Sequence, residues 1–265
     1  MTTPSNDKRN DAPAVDAASR PADAPRPRRG SWTTFYVLLA VAAILTGSLL
    51  ALVIHRRQSS ASPLLRASGL PASVSTSTAN LMALSPVPAH RAPGFTLTDQ
   101  KDHTLSLSQF RGRAVVLEFM DPHCTDICPI VSQEFIDANH DLGSLASRVA
   151  FVAVNVNQYF PSVANMAAFT REHQLNTIAS WHFFTGPTPL LRRVWRDYGI
   201  TVEAPNPKAD ILHTSLVYFI DPQGNERYVA SPQVDHTASG TAFLPAPSLS
   251  AWGHGIAQVA ASLVH

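Results

Sequence analysis

Hydrophobic and polar positions change period several times along this chain, and each change marks an element. Thr33 to Ile54 is an uncharged, largely apolar run of about 22 residues, long enough to cross a bilayer as one helix. Phe95-Thr-Leu-Thr98 and Thr104-Leu-Ser-Leu107 alternate with period two around Asp99-Gln-Lys-Asp102, the pattern of a β-hairpin. Ala114-Val-Val-Leu-Glu-Phe119 is almost continuously apolar, as a central strand covered on both faces should be. A helical period follows from about Cys128 to Leu145, with Ile130, Val131, Phe135 and Ile136 on one face. Val149–Val156 reads as the next strand, Ser162–His173 as a helix and His182-Phe-Phe184 as a short strand. Thr188-Pro189 opens a helix, with Thr188 as its cap; Leu191, Val194, Trp195 and Tyr198 line it and Gly199 ends it. Ser215–Ile220 is a buried strand, Asp221-Pro-Gln-Gly224 a turn and Glu226–Val229 its partner. A last helix is expected from Ser250 to Val264. Strands alternating with helices, then a β-hairpin and a helix, predict an α/β fold in three layers.

The segments before this pattern have a different composition. Residues 1–30 are rich in Ala, Pro, Asp and Arg and nearly lack large apolar side chains, so they are expected to be disordered. Residues 33–54 are read as a retained transmembrane anchor: Trp32, Phe35 and Tyr36 suit one interface, and His55-Arg56-Arg57 closes the other end. No small-residue cleavage site follows before Arg56. Residues 55–93 are Ser/Ala/Pro-rich and predict a flexible tether, leaving residues 94–265 as the folded domain. The formal net charge is only +1, which argues against a nucleic-acid-binding surface.

Only two cysteines are present, in His123-Cys124-Thr125-Asp126-Ile127-Cys128-Pro129. A spacing of four residues is about one helical turn, so both sulfurs face one point where the central strand passes into a helix. Unpaired N–H groups at a helix start favour a thiolate. Such a pair could close a disulfide, exchange electrons or hold a thiophilic metal; a structural disulfide or two core thiols are the plainer alternatives. The position, at the C-terminal end of a central strand, is where open α/β sheets carry their sites.

An α/β sandwich with a dithiol after its first central strand resembles thioredoxin. Two departures narrow the likeness. The motif is Cys-x-x-x-Cys where thioredoxins have Cys-x-x-Cys, and Ile211-Leu-His213-Thr214 carries a histidine where thioredoxins place a proline facing the dithiol. Together with the Asp221-Pro222-x-Gly224 turn, the hairpin before Ala114 and the preceding span, these features resemble the Sco/SenC family. That resemblance implies a thioredoxin-like domain with an N-terminal β-hairpin, held to the membrane by a single span. It implies a copper protein serving cytochrome c oxidase assembly, with Cys124, Cys128 and His213 as metal ligands. Thiolates suit soft Cu(I) and imidazole suits both copper oxidation states, while three ligands leave an open edge for transfer. Zinc fits less well, because structural zinc usually takes four protein ligands and no fourth is well placed; His123 adjoins Cys124 too closely to converge on the same ion.

The expected partners are the oxidase subunit with the binuclear copper site, an upstream copper donor and a thioredoxin-like reductant. The expected location is the inner (cytoplasmic) membrane with the domain on the periplasmic side, or the mitochondrial inner membrane facing the intermembrane space. An alternative makes the chain a thiol–disulfide oxidoreductase of thioredoxin type, with Cys124 and Cys128 as the redox pair preparing the oxidase cysteines. A redox or copper sensor is a third reading. One segment departs from the family: Asn155-Val-Asn157-Gln-Tyr-Phe-Pro161 stands where relatives carry Asp-Pro and further charges.

Overall fold

The structure is a computed structural model, and it describes residues 69–264. The expected tail (1–30), the span (33–54) and the tether as far as residue 68 lie outside the described residues. Among the described residues no helix is long and apolar enough to cross a membrane.

A six-stranded mixed sheet forms the centre. In chain order its members are β1 (Ser85–Arg91), β4 (Ala114–Met120), β5 (Val149–Asn155), β6 (Trp181–Phe184), β9 (Val217–Ile220) and β10 (Asn225–Ala230); in space they run β1-β10-β9-β4-β5-β6. β4, β5 and β6 are parallel, and β9, β10 and β1 add antiparallel neighbours. Period-two alternation sorts the strand residues onto two faces. Val116, Met120, Phe151, Phe183 and Phe219 pack under α2 (Ile127–Leu142) and α5 (Ala246–Leu263), with α3 (Val163–Glu172) beside them. Val115, Leu117, Phe119, Val152 and Val154 pack under α4 (Thr188–Asp197) and the hairpin of β2 (Thr96–Thr98) and β3 (Thr104–Ser106). These are the three layers that the pattern predicts, in a thioredoxin-like arrangement.

The hairpin also closes the sheet's outer edge. Gln100, in its turn, donates to the Trp181 carbonyl at 3.0 Å and accepts from the Phe183 N–H at 2.8 Å, acting as one rung of a missing strand on β6.

Four local expectations shift. The folded part begins before Gly94: α1 (Thr76–Leu81) is capped by the Ser75 hydroxyl, Val74 and Met82 are buried, and β1 pairs with β10. β1 escapes a periodicity search because it is an exposed edge strand carrying Pro86 and Pro88, and its register breaks between Pro86 and His90. α4 is preceded by Pro187, without a side-chain cap; Thr188 is its first residue and Pro189 its second, where the missing N–H has no partner to lose. Likewise α5 starts at Ala246 with Pro247 in its first turn, four residues ahead of expectation. Finally, α2 gives way to a 3₁₀ turn at Gly143 and does not reach Leu145 as an α-helix.

Candidate metal and thiol site

The site lies where β4 ends. Cys124 sits on the loop from Met120 into α2, and Cys128 is in that helix's first turn. Asp121 holds the loop: its carboxylate accepts the His123 N–H at 2.9 Å, and its carbonyl accepts the Cys124 N–H at 3.1 Å. Asp126 precedes α2 but does not cap it; its carboxylate faces His236 Nε2 at 2.9 Å instead. The Cys124 sulfur takes the role of an acceptor, receiving the Cys128 N–H at 3.4 Å.

This contact makes the two sulfurs unequal. Both are free thiols, Cys128 buried and Cys124 partly open. The Cys124 pKa is drawn down to about 7, first by a hydrogen bond from the Cys128 thiol, against the effect of burial, with the backbone N–H groups of Cys128 and Asp126 adding to it. Cys128 is pushed well up, because it donates to Cys124 and is buried. Cys124 is therefore the thiol that loses its proton more readily, and Cys128 the buried donor behind it.

His213 lies on β8 (Leu212–His213), which pairs with β7 (Val202–Glu203). Its Nδ1 faces the Thr214 carbonyl at 3.0 Å. A carbonyl only accepts, so Nδ1 carries the proton and Nε2 keeps a lone pair. Burial lowers the pKa, which keeps the ring neutral. Cys124 and His213 line one cleft of about 830 Å³, together with Asp121, His123, Asn157, Phe160 and part of the β11 (Asp235–His236) and β12 (Ala242–Phe243) hairpin. The cysteines touch and His213 lines the same cleft as Cys124, but the three do not converge on one point; among the described residues no group of three His, Cys, Asp or Glu side chains does. In donor chemistry the residues fit a soft metal: a thiolate, a neighbouring thiol and a free imidazole nitrogen.

The Asn155–Pro161 segment buttresses the site. Asn157 Nδ2 donates to the Asp121 carboxylate at 2.9 Å, and Asn155 Nδ2 donates to the Asn157 and Phe160 carbonyls and the Thr185 hydroxyl. The Phe160 ring lies 4.0 Å, centroid to centroid, from the His123 ring. His123 is thus engaged with an aromatic face beside the dithiol.

Sequence reasoning missed two buried acids beneath the dithiol. Glu118, 1% exposed, points from β4 toward the α2 side of the sheet; one oxygen accepts from Ser215 at 2.8 Å and the other has no partner. Burial raises its pKa to about 8. Glu134 on α2 is fully buried with neither oxygen partnered, and burial followed by the nearby Glu118 and Asp137 pushes its pKa well up. The signal was present in the chain: Glu118 interrupts an otherwise apolar strand, and Glu134 falls on the same helical face as Val131 and Phe135.

Known proteins resemble this chain in sequence and in fold. Residues 85–240, more than half of the chain, match the SCO1/SenC family model. The mitochondrial SCO2 homologue of Mus musculus is 26% identical over 137 residues, covering 49% of this chain and 52% of its own. The chain thus spans about half the length of that curated relative. The apo Sco1 protein of Thermus thermophilus superposes with a TM-score of 0.50 at 18% identity, over 66% of this chain and 92% of its own. ScoI of Bradyrhizobium japonicum, solved with copper bound, gives a TM-score of 0.49 at 18% identity, over 64% of this chain and 99% of its own.

Proposed function

Because the chain belongs to the SCO1/SenC family, we propose that it is a copper metallochaperone for cytochrome c oxidase assembly, binding one copper through Cys124, Cys128 and His213. The observation that carries this reading is the pairing, across one cleft, of a sulfur poised as thiolate with an imidazole whose Nε2 is free. Binding replaces the Cys128 proton with metal and needs the β7–β8 hairpin to bring His213 toward the sulfurs. Two cysteines and a histidine hold Cu(I) and accept Cu(II), and a cleft open on one side admits a ligand from the receiving protein. The receiving site is the binuclear copper centre of a membrane-bound oxidase. Residues 33–54 tether the domain to the inner membrane on its periplasmic face, or to the mitochondrial inner membrane in a eukaryotic cell.

The test is spectroscopic. Full-length protein reduced and loaded with Cu(II) should show a thiolate-to-copper charge-transfer band and a matching EPR signal. His213→Ala should abolish that band while leaving both thiols titratable. An unchanged spectrum would remove His213 from the site.

A second reading is favoured by the inequality of the thiols. Cys124 thiolate attacks a disulfide of an oxidase subunit, forming a mixed disulfide and releasing one substrate thiol. Cys128 then attacks Cys124, closing the Cys124–Cys128 disulfide and releasing the second; two electrons pass to the substrate. Reduction of an oxidase peptide disulfide that survives His213→Ala but not Cys124→Ser would select this role. In either reading the oxidised pair lacks two of the three ligands, so redox state governs copper retention.

A further inference from the structure

At the end of the sheet away from the cleft, three arginines surround a small pocket without a carboxylate of their own. Arg91 ends β1, and Arg111 and Arg113 flank the turn into β4. The pocket encloses about 100 Å³. That is roughly three waters at about 30 Å³ each, room for one small oxyanion. Among the described residues none of the three forms an ion pair with an acidic side chain. Asp221 also lines the pocket, but its oxygens accept from Arg227, Asn225 and the Gln223 N–H.

Two of the guanidinium groups are held in place. Arg111 Nη1 donates to the Gln223 carbonyl at 2.9 Å, and the group lies beside Gly224, where a Cβ would sit in van der Waals contact with Nη2. Gly224, at φ +82°, is required by the turn. Arg113 stands over the Phe110 ring, 5.1 Å from its centroid, which occupies one face of the guanidinium and leaves its N–H edges available. Burial works against the Arg113 cation with no counter-charge to offset it. Two held guanidinium groups and a third beside them, lining one pocket without a carboxylate partner, suit a tetrahedral oxyanion carrying more than one charge.

We propose that this pocket binds a phosphate group, free or as a phospholipid head, through Arg91, Arg111 and Arg113. The site is separate from the thiol cleft and independent of the copper reading.

The unfolding midpoint of the full-length chain in neutral detergent tests it, with inorganic phosphate titrated against chloride at matched ionic strength. Phosphate should raise the midpoint saturably. Arg111→Gln/Arg113→Gln should abolish the response, and Arg192→Gln, on α4 outside the pocket, should keep it. Should the double variant not fold, Arg91→Gln serves, since Arg91 is exposed on an edge strand; removing its charge-assisted hydrogen bond should weaken the phosphate Kd roughly fivefold or more. Dihexanoylphosphatidic acid as a second probe identifies the source: binding tenfold tighter than phosphate assigns a lipid head, and equal or weaker binding assigns the free ion. Absence of a saturable phosphate effect, or an undiminished one in Arg91→Gln, overturns the proposal.

Discussion

The two ends of β9 place buried carboxyl groups in opposite conditions. Past its far end, Asp221 accepts from the Gln223 and Asn225 N–H groups, the Asn225 side chain and Arg227. Before its near end, Ser215 gives Glu118 a single hydrogen bond, and Glu134 beyond it receives none. A buried carboxyl with several donors ties a turn together; one with few donors takes up a proton. The turn is built for stability. The floor beneath the dithiol leaves polar valences open, and so does the dithiol cleft, where Cys124 and His213 Nε2 keep lone pairs. Open valence, more than residue type, separates the functional end from the structural one.

The comparison breaks first at the sulfurs. Cys124→Ser and Cys128→Ser should each reduce copper from one per chain to nearly none, measured on reduced full-length protein by metal analysis. Mild oxidation of the unaltered chain should release copper to the same extent. Full copper retention by protein without free thiols would put the ligands elsewhere.

The next effect concerns the carboxyls themselves. Asp221→Ala strands several buried donors and should cost about 2–4 kcal/mol of stability. Glu118→Gln should cost little and becomes stabilising at high pH. The Glu118 pKa is raised from 4.5 to about 8 in the folded chain, so between those values the folded state holds a proton that the unfolded state has lost. Stability therefore falls as pH rises from about 4.5 to 8, at up to ~1.4 kcal/mol per pH unit. Glu134, raised in the same direction, adds to the slope. Denaturant unfolding at pH 5 and pH 8 checks this: Glu118→Gln should flatten the decline, and an unaltered slope would mean that Glu118 is ionised in the folded chain.

Asn157→Ala sharpens the comparison at the rim of the site. It removes the donor to Asp121 and the acceptor for the Tyr159 N–H at 3.0 Å, and should cost about 1–2 kcal/mol. With the loop loosened, copper affinity should fall a few-fold; an unchanged affinity would mean the loop is held without Asn157.

What the sequence disclosed follows the same division. Long periodic elements were legible because burial imposes their period: β4, β5 and the apolar face of α4 fall where the pattern puts them. The cysteines, as the only pair, could be singled out by type and spacing, whereas His213 stood out only through the resemblance to the Sco/SenC family. β1 was illegible because an edge strand with two prolines buries almost nothing and has no period to read. Gln100 as an edge cover and Asn157 as a buttress depend on partners 81 and 36 residues away, which local pattern does not encode. Glu118 was visible as an anomaly within its strand, but its consequence depends on what α2 lays over it.

The smallest effect belongs to His236 and Asp126. Their 2.9 Å contact joins the β11–β12 hairpin to the start of α2, with both side chains about half exposed. An exposed pair contributes about 0–1 kcal/mol. His236→Ala should cost even less than the pair is worth, because the freed Asp126 carboxylate can turn to the first-turn N–H groups of α2 that the Cys124 sulfur leaves unpaired. A net change within about 0.5 kcal/mol is expected. Its consequence is local: the hairpin that lines the cleft is no longer tied to the thiol loop, so copper should leave a few-fold faster while equilibrium unfolding hardly moves. A double-mutant cycle with Asp126→Ala measures the pair directly, and a coupling above about 2 kcal/mol would show that this exposed contact holds the cleft wall as firmly as the buried turn at Asp221 holds the opposite end.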